Sequence, residues 1–419
     1  MSKTPRPSRW GIRRHGKAFL SVGLISAIGI LASVGFQVLT SRSLGPEAFG
    51  LLAAFMAIVG IASTGSSALQ NSVAVGAARA AHSPEKAISG SKKWDASLIE
   101  AVCLGGAGTI IVLLFAQPLA TLLNTGLEAV VLAAATIFPA FLFSRSLGIL
   151  QGSGRSRSVA GWTSGGQAFR LILIVIVIGL SLGAISMLFA VFLSTLAITI
   201  GSGIQSARTH LKPEGVAFSR DTIIVLLLVI AFSWLTNIEV VLVRGGTSEL
   251  ESGSFAAAAV LTKTIFIVPG MMSVYLLPRF VSSQHDNKTS NRGVLVSVGL
   301  IFTGGVGAFL GLLLLAGPIT LVLFGKGYGL TVEYLPWLAL AYLPWAMSQG
   351  LLIRLTAITS RSALVVFIIA AVIEWVGAQM VLPDVFGMIW LLGILGSSVL
   401  ACLVIIHFAS LNKKKVTEV

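Results

Sequence analysis

Long apolar stretches separated by short polar segments recur along the whole chain. Each is long enough to cross a hydrocarbon core of ~30 Å as a helix. Helices are expected because a backbone group without a hydrogen bond is costly in lipid. The predicted spans cover residues 18–40, 48–70, 97–121, 127–149, 159–181, 183–206, 220–243, 253–277, 293–316, 332–357, 362–381 and 386–408. This pattern predicts an all-α polytopic membrane protein with about twelve transmembrane helices.

The composition agrees with a membrane protein. Of the 419 residues, 55% are hydrophobic and only 11% are charged, whereas an ordinary globular domain is about 25% charged. The mean hydropathy is +0.94. These values exclude a soluble enzyme. The 45 glycines suit helices that pack closely in lipid, and the two cysteines, Cys103 and Cys402, lie in apolar runs and cannot form a disulfide framework.

The positive charge is distributed unevenly between the two sides of the predicted membrane. Of the 29 Lys and Arg residues, 23 fall in the two tails and in alternate loops, and only Arg42, Arg244 and Lys326 fall in the opposite loops. This asymmetry follows the positive-inside rule and predicts that both termini are cytoplasmic. The net charge of +14 is therefore explained as an insertion signal, and no nucleic-acid partner is expected.

Motifs for nucleotide and metal chemistry are absent from the sequence. It contains no GxxxxGK[ST] and no HExxH, and its five His residues form no paired ligand set. The predicted external loops are too short for a catalytic domain. We therefore expect no metal, no cofactor and no enzymatic activity, and a membrane glycan polymerase or ligase is only a remote alternative.

The twelve predicted spans divide into two sets of six. Both halves place an Arg at the end of their first helix and a Gly, an acidic residue and a Phe before their second, around Arg42 to Phe49 and Arg244 to Phe255. An even number of spans per half predicts parallel repeats with a substrate path at their interface. The predicted domains are a basic tail 1–17, a six-helix bundle 18–206, a linker 207–219, a six-helix bundle 220–408 and a basic tail 409–419.

Three segments carry a family resemblance, in the expected order. They are SRSLGPEAFGLLAAFMAIVGIASTGSSALQNS at 41–72, FAAAAVLTKTIFIVPGMMSVYLLPRF at 255–280 and LFGKGYGLTVEYLPWLAL at 323–340. This ordered set resembles Wzx-type polysaccharide and oligosaccharide flippases of the multidrug/oligosaccharidyl-lipid/polysaccharide exporter superfamily. The resemblance implies two six-helix bundles around a central cavity, alternating access, and a polyprenyl-diphosphate-linked glycan as cargo.

The resemblance also implies a biological role. The protein would flip an oligosaccharide repeat unit to the outer leaflet of the bacterial plasma membrane for surface polysaccharide synthesis, with membrane lipids and glycan polymerase machinery as partners. Two alternatives belong to the same superfamily. A peptidoglycan lipid-precursor flippase usually has fourteen spans and several Arg residues in its first helices, which the interior of span 1 lacks. An ion-coupled multidrug exporter often carries cations, which a positive cavity disfavours.

Two basic residues lie near the middle of predicted spans, Arg170 in span 5 and Lys263 in span 8. A charge at this depth costs at least ~2.5–3.5 kcal/mol, so it is expected to pair or to face water. Arg binds phosphate in a bidentate manner and Lys provides a point charge. We expect both to line a cationic cavity for the diphosphate. Gln167, three residues before Arg170, shares its helix face and would bind sugar hydroxyls or satisfy the guanidinium.

Two further arginines are weaker candidates for substrate binding. Arg354 lies three residues from the cytoplasmic end of span 10 and is able to snorkel to the interface. Arg42 lies at the outer end of span 1. An interfacial role is favoured for Arg42, as it is for Arg244.

Acidic residues are few within the predicted spans. Glu374, near the middle of span 11, either neutralises a basic residue or couples transport to H⁺ or Na⁺, and an ion pair is favoured. The sequence leaves open whether its partner is Lys263 or Arg170. Glu100 and Glu239 lie near predicted membrane interfaces and are expected to be solvated.

Overall fold

A computed structural model describes residues 9–82, 95–213, 218, 220–266, 287–357 and 360–417. Nearly all of these residues are α-helical, and the described ranges contain no β-strand. The helices are α1 Arg9–His82, α2 Ala96–Leu114, α3 Ala116–Leu122, α4 Leu127–Gly152, α5 Ser156–Gly179, α6 Ala184–Ala207, α7 Arg220–Leu235, α8 Ile238–Gly246, α9 Glu249–Thr262, α10 Asn287–Leu323, α11 Gly329–Ala357, α12 Arg361–Val381 and α13 Val385–Thr417. A 3₁₀ turn, Lys263–Phe266, follows α9 directly.

Helix α1 contains two predicted spans joined by a sharp corner. Its backbone departs from helical geometry at Gly45, with φ 71° and ψ 174°, and Pro46 follows. Only glycine adopts this positive φ without a steric cost, and the proline nitrogen has no hydrogen to donate to the preceding turn. The apolar part of α1, Leu24–Ala78, is 55 residues long, so it is long enough for two crossings of a bilayer.

Nine helical segments within the described residues are long and apolar enough to cross a membrane: Leu24–Ala78, Ala96–Leu114, Leu127–Gly152, Ser156–Gly179, Ala184–Ala207, Ile223–Gly246, Ile301–Leu323, Arg361–Val381 and Val385–Ala409. Ten of the predicted spans fall on these segments, because the first segment covers two. Predicted span 10 corresponds to α11, a largely buried helix that contains Pro336 and Pro344. Predicted span 8 begins on α9, and its part beyond residue 266 lies outside the described residues.

The chain forms two compact units. The first comprises Met1–Thr40, Leu69–Ile111 and Ala134–Ala217, and the second comprises Ser41–Ala68, Val112–Ala133 and Phe218–Val419. The predicted domain boundaries 18–206 and 220–408 follow helix order along the chain and stay a prediction.

In the first unit, α1 and α4 pack so closely that side chains are excluded between them. A Cβ added to Gly152 would lie 2.4 Å from the carbonyl oxygen of Ala74, and one added to Gly148 would lie 2.7 Å from that of Gln70. Small residues allow helix backbones to approach in this way in lipid. The expectation from glycine content is confirmed at this contact.

The first unit also contains an ion pair at the start of α2. Arg145 of α4 donates to Asp95 at 2.7 Å and to the hydroxyl of Ser97 at 3.0 Å. Burial alone would raise the pKa of Asp95, but the hydrogen bond from Ser97 and the charge of Arg145 together lower it below its usual value. The pair anchors the beginning of α2 to α4.

In the second unit, α11 is the central helix. It packs against α9, α10 and α13, and Trp345, Tyr342 and Leu338 of α11 are fully buried. The indole nitrogen of Trp345 donates to the carbonyl oxygen of Leu392 at 3.0 Å. A group of polar side chains in this unit includes Tyr342 of α11, whose hydroxyl donates to Glu239.

Candidate functional site

Arg170, on α5 in the first unit, is a cation without an acidic partner among the described residues. Its guanidinium carbon lies 4.1 Å from the centre of the Phe36 ring, and one of its terminal nitrogens donates to Gln167. Its Nε is buried and has no hydrogen-bond partner in the described part of the chain. Of the two roles expected for Gln167, the structure therefore shows the one that satisfies the guanidinium.

The surroundings of Arg170 satisfy only part of its hydrogen-bonding capacity. A guanidinium has five N–H donors, and an aromatic face attracts it without accepting those hydrogen bonds. A charge that is removed from water needs a counter-charge to recover the cost of burial. Among the described residues, no carboxylate balances the charge of Arg170.

Lys263 in the second unit is paired, and its partner was not predicted. Its ammonium lies 2.7 Å from Oε1 of Glu239 and donates to Oδ1 of Asn237 at 3.3 Å. The hydroxyl of Tyr342 donates to the same carboxylate oxygen of Glu239. Lys263 therefore lies in a polar cluster and is not a free cation.

Breaks in the helices place these side chains. Helix α7 ends at Leu235 and α8 begins at Ile238, so Asn237 lies at the break as the residue that precedes α8. Lys263 lies where α9 passes into the 3₁₀ turn. Polar side chains at helix breaks are able to interact with each other and with free backbone groups.

Glu374 of α12 belongs to the same cluster. It is 0% exposed, and neither carboxylate oxygen has a hydrogen-bond partner among the described residues. It interacts electrostatically with Glu239 and Lys263. Glu374 forms no ion pair among the described residues, and the ammonium of Lys263 pairs with Glu239 instead, so the pairing expected for Glu374 stays a prediction.

Two expectations about acidic residues were wrong. Glu239 was expected to be solvated and is 0% exposed, and Glu100 was expected to be solvated and is 6% exposed. Hydropathy along the chain indicates how deep a residue lies in the membrane but not which way it faces. Both carboxylates lie on helix faces that are covered by other helices.

The side chain of Arg42, in α1, contacts the C-terminal end of α10. Its side chain donates to the carbonyl oxygens of Leu323 at 3.3 Å, Leu321 at 3.5 Å and Val322. These are the last carbonyls of α10, which have no partner within their own helix and carry its negative dipole. This geometry agrees with the favoured interfacial role, and binding of substrate by Arg42 stays a prediction. Arg354 lies in α11, but its side chain is outside the described residues.

Arg244, which was expected to be interfacial, is buried, with 4% of its side chain exposed. It contacts Glu249 at 2.8 Å and the carbonyl oxygen of Glu47 at 2.9 Å, and it donates to Ser252 at 3.3 Å. Because these partners come from distant parts of the chain, Arg244 ties the corner after Gly45 to α8 and α9 within the second unit.

Comparison with known proteins identifies the fold. No protein-family model matches the sequence, and no curated protein matches it. Among solved structures, an inward-facing multidrug resistance MATE transporter of the MOP superfamily matches with a TM-score of 0.69 and 16% identity over 94% of this chain and 99% of that one. The lipid II flippase MurJ in an inward closed conformation matches with a TM-score of 0.62 and 14% identity over 92% of this chain and 86% of that one.

A third structure is a MOP superfamily transporter from Pyrococcus furiosus, described as having a binding pocket of reverse polarity. It matches with a TM-score of 0.54 and 14% identity over 92% of this chain and 94% of that one. At these identities the likeness shows the fold alone. The predicted fold class is confirmed: the chain is an all-α polytopic membrane protein, with the fold of about twelve transmembrane helices in two bundles that is found in MOP superfamily transporters.

Proposed function

We propose that this protein is a flippase that moves a polyprenyl-diphosphate-linked oligosaccharide repeat unit from the cytoplasmic to the outer leaflet by alternating access, for surface polysaccharide synthesis. It would act in the bacterial plasma membrane with both termini in the cytoplasm, and pass its cargo to glycan polymerase machinery. The fold supports a flippase or exporter in general. Transport of this kind makes and breaks no covalent bond.

One observation favours an anionic cargo. Arg170 lies within a membrane-spanning helix, and no carboxylate of the described residues pairs with it. A diphosphate supplies the missing negative charge and accepts hydrogen bonds in the bidentate geometry that a guanidinium prefers. Gln167, held against the guanidinium, would keep it oriented toward the ligand.

A coupling ion that binds at Glu374 completes the proposal. A flippase that accumulates cargo in one leaflet needs a driving force. A buried carboxylate that has no hydrogen-bond partner among the described residues suits the exchange of H⁺ or Na⁺. The same cluster, with two carboxylates for one lysine, is also what favours the alternative of an ion-coupled exporter of cationic drugs. A peptidoglycan lipid precursor is the other diphosphate-linked cargo.

The deciding experiment is deletion of the gene followed by complementation with variants. Arg170→Ala should leave lipid-linked repeat units on the cytoplasmic face and reduce surface glycan. Loss of hydrogen bonds to a charged group costs about 1.5–3 kcal/mol, which corresponds to roughly 10- to 150-fold in affinity. Arg157→Ala is the matched control, because Arg157 lies on the same helix and is exposed.

Each result has a definite meaning. The chemical identity of the accumulated lipid separates a repeat-unit flippase from a flippase for the peptidoglycan precursor. Intact surface glycan in the deletion strain together with raised sensitivity to cationic drugs would favour the exporter. Normal export by Arg170→Ala at equal membrane abundance would overturn the assignment of Arg170 to the cargo phosphates.

A further inference from the structure

Polar side chains of the second unit form a hydrogen-bonded chain at the break between α7 and α8. The hydroxyl of Ser233 donates to that of Thr64, on α1, at 2.8 Å. The amide nitrogen of Asn237 donates to the carbonyl oxygen of Ser233 at 2.8 Å, and because a carbonyl oxygen only accepts, this contact fixes which end of the amide is which. The amide oxygen of Asn237 accepts from the ammonium of Lys263 at 3.3 Å. The chain therefore holds Asn237 and Lys263 side by side.

This pair is partly open to its surroundings, although it lies within the membrane. Asn237 is partly exposed and lies well inside the membrane-crossing segment Ile223–Gly246. The side chain of Lys263, at the same depth, is 22% exposed, whereas that of Glu239 is 0% exposed. An incompletely covered ammonium at this depth faces water or a polar ligand, because contact with hydrocarbon is costly. Lys263 and Asn237 therefore line a surface that a polar ligand reaches.

The ammonium of Lys263 is already balanced by a negative charge. It lies 2.7 Å from Oε1 of Glu239, and the hydroxyl of Tyr342 donates to the same oxygen. A phosphate that bound Lys263 would have to compete with Glu239, and a buried carboxylate that loses its partner is strongly destabilising. The contacts of Lys263 therefore favour a ligand without charge over an anion.

The pair presents one donor beside one acceptor. An ammonium has three donors, and Glu239 and Asn237 take two of those of Lys263. A carbonyl oxygen has two lone pairs, and that of Asn237 uses one for Lys263. Within the described part of the chain, a donor and a lone pair are left on two atoms 3.3 Å apart. A hydroxyl group donates and accepts and so satisfies both, whereas the oxygens of an ionised phosphate only accept.

We propose that Lys263 and Asn237 bind a hydroxyl group of the sugar in the cargo, and that the phosphates are left to Arg170. The sugar hydroxyl accepts from the ammonium and donates to the amide oxygen, while Ser233 and Thr64 hold the amide in place. The inference rests on the proposed function, because it assigns the sugar of the same cargo to a site of its own.

The test is calorimetric titration of the purified full-length protein, in a detergent without a sugar headgroup, with the two parts of the cargo given separately. One probe is the oligosaccharide released by acid, and freed of phosphate, from the lipid that accumulates in the deletion strain. The other probe is inorganic pyrophosphate. Asn237→Leu should weaken binding of the oligosaccharide roughly 2- to 13-fold, for a hydrogen bond between neutral groups, and Lys263→Met roughly 10- to 150-fold, for one to a charged group. Neither change should alter binding of pyrophosphate.

Two further variants complete the comparison. Lys326→Met removes an exposed lysine that lies outside the pair, and it should change neither titration. Arg170→Ala should weaken binding of pyrophosphate and leave binding of the oligosaccharide as in the wild type. The two sites are thus distinguished by opposite responses to the two probes.

The outcomes separate this inference from the proposed function. Oligosaccharide binding that is absent in the wild type or unchanged in Asn237→Leu would overturn the inference, and so would weaker pyrophosphate binding by Lys263→Met, which would make Lys263 a phosphate ligand. If Lys263→Met does not fold, Asn237→Leu decides, because it leaves the ion pair of Lys263 with Glu239 in place. Pyrophosphate binding that survives Arg170→Ala contradicts the role of Arg170 alone, and a deletion strain that accumulates no sugar-bearing lipid overturns both proposals.

Discussion

Replacement of Gly253 by alanine is expected to disrupt the corner of α1 at Pro46. A Cβ at position 253 would lie 1.6 Å from the carbonyl oxygen of Pro46 and 2.3 Å from its carbonyl carbon. Because these are backbone atoms, no side-chain rotation relieves the clash. To reach the 3.0 Å below which real Cβ contacts essentially do not occur, the two segments must separate by at least 3.0 − 1.6 = 1.4 Å.

The expected loss of stability follows from what this separation strains. Forcing an extra methyl group into a packed site costs about 1–3 kcal/mol. The hydrogen bond of Arg244 to the carbonyl oxygen of Glu47, at 2.9 Å next to the clash, would also be lost, at about 1.5–3 kcal/mol for a charged donor. We expect Gly253→Ala to lower the free energy of unfolding by about 3–5 kcal/mol.

Thermal unfolding of the detergent-purified protein measures this effect. Because the entropy of unfolding grows with chain length, a loss of this size lowers Tm by roughly 3–6 °C for a chain of this length. Gly106→Ala on α2 is the control, since a Cβ there meets nothing within 4 Å, and alanine is preferred in a helix by roughly 0.8–1 kcal/mol. If Gly253→Ala melts at or above the wild-type temperature, the close contact between Gly253 and Pro46 does not exist in the folded protein.

Two further changes test the buried polar groups. Asp95→Asn should destabilise the first unit by about 1–3 kcal/mol at neutral pH. Because the pKa of Asp95 is lowered in the folded state, the stability that the wild type gains from the pair with Arg145 is present above the unfolded pKa and is lost as pH falls through the folded pKa. The difference in Tm between wild type and variant should therefore close in acid, and a difference that does not change with pH would contradict this. Tyr342→Phe keeps the ring but removes the hydroxyl that donates to Glu239, so Tm should fall. Tyr334→Phe is the control and should leave Tm unchanged, because no hydrogen bond of the Tyr334 hydroxyl is seen among the described residues. Equal effects of the two changes on Tm would show that the Tyr342 hydroxyl is not bound to Glu239.

The sequence predicts the helices and the buried position of Arg170, because both can be recognised from neighbouring residues along the chain. Hydropathy is sufficient to place the spans, and an Arg in the middle of one is visible as such. The contact of Gln167 with Arg170 follows from helical spacing of three residues.

The lysine cluster and the buried Arg244 depend on contacts that no local pattern indicates. Glu239 meets Lys263 because α7 and α8 are broken at Asn237 and because α9 ends beside that break. Arg244 is satisfied by the carbonyl oxygen of Glu47, 197 residues away in the chain. A single sequence does not contain the information on which helix faces meet.

The contact of Arg42 with the end of α10 also constrains how the protein is made. Its carbonyl acceptors come 279 to 281 residues later in the chain. During synthesis, the first helical hairpin is therefore in the membrane long before the groups that receive its guanidinium exist. Until α10 is inserted, Arg42 has to be satisfied by water or lipid headgroups.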